Sequence, residues 1–121
     1  MSTPAGIGFC NKDGSVCFII ISDNGWIKDG IGDILASDYH DENCVKKLVL
    51  ACSLPQGYDL LFDQKTGYAK DELAFMQYCF FRPRCYIFYI YTWKNGQWYF
   101  RRMDGSEDIP LKEAIIQGVE D

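Results

Sequence analysis

Two short apolar runs open the chain, residues 7–11 and 16–22, with Lys12-Asp13-Gly14-Ser15 between them. Asp followed by Gly supplies the backbone conformation of a tight turn, so the pattern predicts a β-hairpin. The second run, Val-Cys-Phe-Ile-Ile-Ile, is apolar on both faces and predicts a central strand covered from either side. Asp23-Asn24-Gly25 interrupts it, and Trp26-Ile27 either continues an edge strand or leads into the next segment. From Asp29 to Cys52 the period changes from two to about 3.6. Ile31, Ile34 and Leu35 share one stripe, in a helix that Gly30 and Gly32 weaken. Val45, Leu48, Val49 and Cys52 form a stronger stripe, with Asp41 as its expected N-cap and Lys46 and Lys47 on its wet side. Pro55 ends that helix.

Residues 58–62 read as a short strand or an irregular apolar segment. A third helix is expected over 70–78, where Leu73, Met76 and Gln77 follow helical spacing and Asp71 and Glu72 complement the dipole in the first turn. Phe80-Phe81-Arg82-Pro83-Arg84 stops it. Residues 85–93 and 97–102 then flank Asn95-Gly96, the strongest short hairpin signal there is. A two-residue loop there pairs Lys94 with Gln97 and Trp93 with Trp98, where the indoles meet in the closer, non-hydrogen-bonded position. Pro110 opens a short closing helix through Gln117, and Gly118 stops it. The order β-β-α-α-(β)-α-β-β-α predicts one α+β domain over residues 1–121. Its sheet is mixed or antiparallel, built from the N- and C-terminal hairpins, with helices packed on it.

With 48% hydrophobic residues, 8 Phe, 8 Tyr and 3 Trp among 121, the chain has the apolar surface to close a core without staples. The net charge is −5, from 12 Lys and Arg against 17 Asp and Glu. So acidic a chain gains little from a phosphate backbone, and no direct nucleic-acid partner is expected. The charge is also localised. Between Asp23 and Glu42 stand six acids and one base, Lys28, which carry the whole −5; the eleven acids and eleven bases elsewhere cancel. A polarised surface of this kind steers an oppositely charged partner, while a solvated loop with helix caps gives the same composition.

No run of 18 apolar residues and no signal peptide is present, so a cytoplasmic protein without membrane contact is expected. The six cysteines are irregularly spaced among apolar neighbours, which suits buried thiols. One pair stands apart: a two-residue turn at Asp13-Gly14 would place Cys10 opposite Cys17, at about 5.5 Å between Cα atoms, where a disulfide is sterically possible.

Candidate chemistry is sparse. His40 with Cys44 offers half a zinc site or a nucleophile and base, but there is no C-x-x-C, second His or nucleophile turn, and a surface His at a helix start is the simpler reading. Asp29/Asp33 and Asp38/Glu42 are spaced i, i+4, which on one helical face would suit general acid–base work or, equally, a cationic partner. The acids do not follow an EF-hand, and Gly6-Ile7-Gly8 and Gly30-Ile31-Gly32 lack the context of a phosphate loop. No metal or cofactor is expected. Arg82, Arg84, Lys94, Arg101 and Arg102 among the late aromatics would suit a base-stacking platform, without an RNA-recognition signature.

The Trp93-Lys94-Asn95-Gly96-Gln97-Trp98 hairpin, Asp104-Gly105, and Ile109-Pro110-Leu111 leading into a closing helix, in a small acidic α+β domain, resemble the immunity proteins of bacterial polymorphic-toxin systems, including contact-dependent growth inhibition. The resemblance spans most of the chain in layout. It implies a non-enzymatic antitoxin that binds one cognate toxin domain, often a basic nuclease, and blocks its active site. The residues themselves point to a contact face of Asp29, Asp33, Asp38, Asp41 and Glu42 with Trp26 and Tyr39 as aromatic anchors. The alternatives are a small carboxylate/His hydrolase or metal-dependent enzyme, an RNA-binding module using the aromatic-Arg hairpin, and a structural subunit with the hairpin as an oligomer edge.

Overall fold

A computed structural model describes residues 3–81, 87–103 and 107–118. The first hairpin is β1 (Ala5–Cys10) and β2 (Val16–Ile21). Helices α1 (Ile31–Asp38) and α2 (Glu42–Leu50) follow, then a 3-10 turn at Leu61–Asp63, β3 (Gly67–Ala69) and α3 (Glu72–Phe80). The second hairpin is β4 (Tyr89–Lys94) and β5 (Gln97–Arg102), and β6 (Ile109–Pro110) leads into α4 (Leu111–Gln117). The six strands form one mixed sheet in the order β3-β2-β1-β4-β5-β6. The two hairpins meet at its centre through the parallel pairing of β1 with β4.

This is the expected α+β architecture, and the sheet is mixed because β1 joins β4 in parallel. On one face Ile7, Phe9, Ile19, Ile21, Tyr91 and Phe100 pack against Ile31 and Leu35 of α1, Val45, Leu48 and Val49 of α2, and Leu111 of α4. On the other, Val16, Phe18, Ile20 and Ile90 pack beneath Phe75 and Cys79 of α3. β2 therefore contributes to both cores, as its unbroken apolar run requires. No helix among the described residues is long and apolar enough to cross a membrane.

Capping follows the sequence closely. Asp41 lies outside α2 in extended conformation and accepts the Cys44 amide at 2.9 Å; Asp71, expected inside the first turn of the third helix, instead caps α3 in the same way, from Ala74 at 2.8 Å. Gly118 ends α4 in the left-handed region. The second hairpin has the predicted register, Lys94 with Gln97 and Trp93 with Trp98, and the two indoles meet edge to face at 5.5 Å. Asn95 and Gly96 both take positive φ, as the turn demands.

Other expectations are corrected. The first turn is longer than two residues, so Cys10 faces Val16 and Cys17 faces Phe9. That one-residue change puts the two thiols on opposite faces of the sheet and excludes their disulfide. Cys10, Cys17, Cys44, Cys52 and Cys79 are all free. Burial pushes the Cys10 thiol up to about 12, with Glu72 adding to the effect. The third helix runs two residues beyond its expected end, with Asp71 as its cap, and it buries Phe75 and Cys79 while Leu73 and Gln77 are exposed. Helical spacing alone did not say which stripe faces the sheet; Gly6 and Gly8 decide it. A Cβ on Gly6 would lie 2.8 Å from Cys79 Sγ, and one on Gly8 2.8 Å from the Phe75 ring, so the bare backbone of β1 is the seat of this helix. Of the two readings for residues 58–62 the irregular segment holds; Leu60 makes a single bridge to Ile21 before the 3-10 turn. β3 was not expected, and its three residues carry too short a pattern to read. Trp26-Ile27 forms a loop with Ile27 buried. Arg82, Arg84, Cys85 and Asp104-Gly105, invoked above, lie outside the described residues.

Candidate functional site

The acidic stretch begins at one end of the sheet and finishes at the other. Near the start of β1, the Gly25 amide donates to the Thr3 carbonyl at 2.8 Å, the Tyr91 hydroxyl donates to the Gly25 carbonyl at 2.7 Å, and Trp26 rests 5.7 Å from the Tyr89 ring. At the opposite end, the Trp98 indole N–H donates to the Tyr39 carbonyl at 2.7 Å, beside the β4–β5 turn. Helix α1 spans the distance between them, about 12 Å for eight residues.

The seven expected contact residues thus fall into two groups. Trp26, 42% exposed, exposed Asp29 and half-buried Asp33 stand at the entry to α1; Asp38, half-buried Tyr39, Asp41 and Glu42 stand at its exit. The paired-carboxylate geometry is not formed. Asp29 precedes α1 with φ of 58°, and Asp33 turns its carboxylate back to accept the Asp29 amide at 2.8 Å, closing the helix start. Asp38 ends α1 and Glu42 begins α2, so these two do not share a helical face either. Glu42 instead pairs with Lys46 at 3.5 Å in an exposed i, i+4 contact. Asp23 accepts the amides of Asn24 and Thr3, and Asp41 that of Cys44; these hydrogen bonds hold both carboxyls below the usual range. His40 is exposed and precedes the cap of α2, while Cys44 points its thiol at Asp41, at 3.5 Å. That hydrogen bond raises the Cys44 thiol, which opposes a nucleophilic role. No group of three metal-ligating side chains occurs among the described residues.

The late hairpin does not offer a stacking platform. Tyr89, Tyr91, Trp93, Trp98 and Phe100 are buried in the core beneath α1, α2 and α4. Its other face carries Ile90, Thr92 and Lys94 on β4 and Tyr99 and Arg101 on β5, and here the structure assembles a charged chain that sequence reasoning missed. Lys94 Nζ lies 2.7 Å from both Glu72 Oε1 and Asp108 Oδ2, and Arg101 Nε donates to Asp108 Oδ1 at 2.7 Å. The Lys94 ammonium also sits 4.9 Å from the centre of the Tyr99 ring. Four residues spread from 72 to 108 leave no local motif; in the sequence Lys94 and Arg101 show only as single charges beside the aromatic positions Trp93 and Phe100. Burial alone would raise the Asp108 carboxyl, but the hydrogen bonds from Arg101 and Lys94 outweigh it and hold it low. Burial alone would lower Lys94, but its hydrogen bonds to Asp108 and Glu72 outweigh that and hold it high. The chain borders a groove of about 340 Å³ between α3 and the hairpin, with Phe75, Met76 and Ile90 as its apolar lining.

No family model matches the chain, and no curated protein or solved structure matches it.

Proposed function

We propose that the protein is a binding protein of the antitoxin kind, which neutralises one basic toxin domain, a nuclease, by covering its active site with α1 and the α1–α2 junction. The observation that carries this reading is the concentration of the whole net charge in residues 23–42, with Asp29, Asp38, Asp41 and Glu42 exposed along one short helix and its exit. Asp41 is ionised well below neutral pH because its charged form holds a helix cap. Exposed carboxylates at both ends of α1 stand in for nucleic-acid phosphates toward a basic cleft, and accelerate encounter with it. Trp26 and Tyr39, at the two ends of α1, supply aromatic contact within a footprint that a standard interface of about 800 Å² per partner spans. Most of the acids are placed without strain on the body, since the two cores lie beneath the helices and use none of them.

The test is capture from host lysate at low salt with the wild-type chain and, in parallel, a variant carrying Asn at 29, 33, 38 and 41 and Gln at 42. Asn is as good an N-cap as Asp, so the caps survive. A basic nuclease retained by the wild type, inhibited by it in equimolar amount and spared by the variant is the expected result. Equal retention by both proteins, or a retained protein whose activity is unaffected, would overturn the reading.

A further inference from the structure

The groove on the α3 face lies across the sheet from the acidic flank and has features that the antitoxin reading does not use. Its volume of about 340 Å³ falls at the lower end of small-molecule sites. Thr92 lines it from the centre of β4, is only 4% exposed, and its hydroxyl has no hydrogen-bond partner among the described residues. A buried hydroxyl in that state costs free energy unless something enters to bond it. Arg101 is similarly incomplete. Its Nε is taken by Asp108, but Nη1 meets only the Met76 sulfur at 3.3 Å, a weak acceptor, and Nη2 has no partner among the described residues. At the same rim Glu72 commits one oxygen to Lys94 and leaves the other without a partner among the described residues.

We propose that this groove binds a small zwitterion, a free α-amino acid with an apolar side chain. Among the described residues two cations and two carboxylates border the groove, and their charges cancel. A lone anion or a lone cation would leave one partly buried charge uncompensated, whereas a zwitterion keeps the balance. Its carboxylate accepts from the free edge of the Arg101 guanidinium and from the Thr92 hydroxyl, its ammonium donates to Glu72, and its side chain rests on Phe75, Met76 and Ile90.

Titration calorimetry with L-leucine, acetate and isobutylamine, at matched millimolar concentrations, separates the possibilities. Binding of L-leucine, with the amide signals of Thr92 and Arg101 shifting in heteronuclear NMR, is expected, together with much weaker binding of the two half-ligands. Thr92→Val keeps the shape and removes the hydroxyl. It is expected to weaken L-leucine about tenfold while raising the thermal midpoint of the ligand-free protein, since it deletes an unsatisfied buried group. Failure of L-leucine to bind, acetate or isobutylamine binding as tightly as L-leucine, or unchanged affinity in Thr92→Val would each overturn the proposal. None of these outcomes bears on the acidic flank.

Discussion

The indole N–H of Trp98 donates to the backbone carbonyl of Tyr39 at 2.7 Å, across 59 residues of chain. This bond fastens the exit of α1, where Asp38, Asp41 and Glu42 stand, to the second hairpin. Trp98→Phe keeps most of the ring burial but strands a partly buried carbonyl. It should cost about 2 kcal/mol in urea unfolding, with unchanged m-value, by the cost of an unmade buried hydrogen bond and of a weakened aromatic pair. Trp93→Phe, which loses only the ring contact, should cost less.

The seat of α3 on β1 gives a second prediction. Gly8→Ala puts a methyl 2.8 Å from the Phe75 ring and 2.9 Å from Val16, so the helix must lift or Phe75 must leave its rotamer. A loss of about 1–3 kcal/mol is expected by chemical denaturation, the usual cost of overpacking. Gly14→Ala, at a position with open space but φ of +91°, tests backbone strain alone and should cost less than Gly8→Ala.

Helix capping gives a third. Asp71→Ala removes the acceptor of the Ala74 amide and should destabilise the protein by about 1 kcal/mol, whereas Asp71→Asn should be close to neutral. Thermal midpoints of the two variants, measured side by side, check the difference.

These cases also show what the amino-acid pattern can carry. Asn95-Gly96, Asp41 and Gly118 each specify a local backbone conformation, and each was legible because the chemistry is local. The β1–β2 register was not, because Asp13-Gly14 is compatible with more than one loop length and a shift of one residue swaps faces. The buried stripe of α3 depended on two glycines more than sixty residues earlier, and no period within the helix reports that. At the candidate sites, the charge asymmetry of residues 23–42 was plain in the sequence, as was the cap at Asp41, yet the turn of the Asp33 carboxylate back to the Asp29 amide required coordinates. The Glu72, Lys94, Arg101 and Asp108 chain is brought together only by the sheet order and by α3 packing across it.

A fourth prediction concerns pH. Asp108 has its carboxyl held low in the folded protein, so its contribution to stability is present above the unfolded-state value, about 3.9, and is lost as pH falls through the lower folded value. Lys94 is held high, so its contribution is complete below about 10.4 and is lost as pH rises through the folded value. Asp108→Asn should therefore lower stability at neutral pH by on the order of 1 kcal/mol and flatten the decline below pH ~4, because the ion pairs are partly exposed. Urea midpoints measured from acid to neutral pH, wild type against variant, check both the size and the sign.

The proposed function stands most directly on the salt dependence of association between the captured basic partner and this chain, followed by stopped flow for the wild type and for the variant with Asn at 29, 33, 38 and 41 and Gln at 42. Steering by the acidic flank predicts a wild-type association rate that falls steeply with ionic strength, and a variant that is slower at low salt and nearly insensitive to it. Equal rates and equal salt slopes for the two proteins would contradict it.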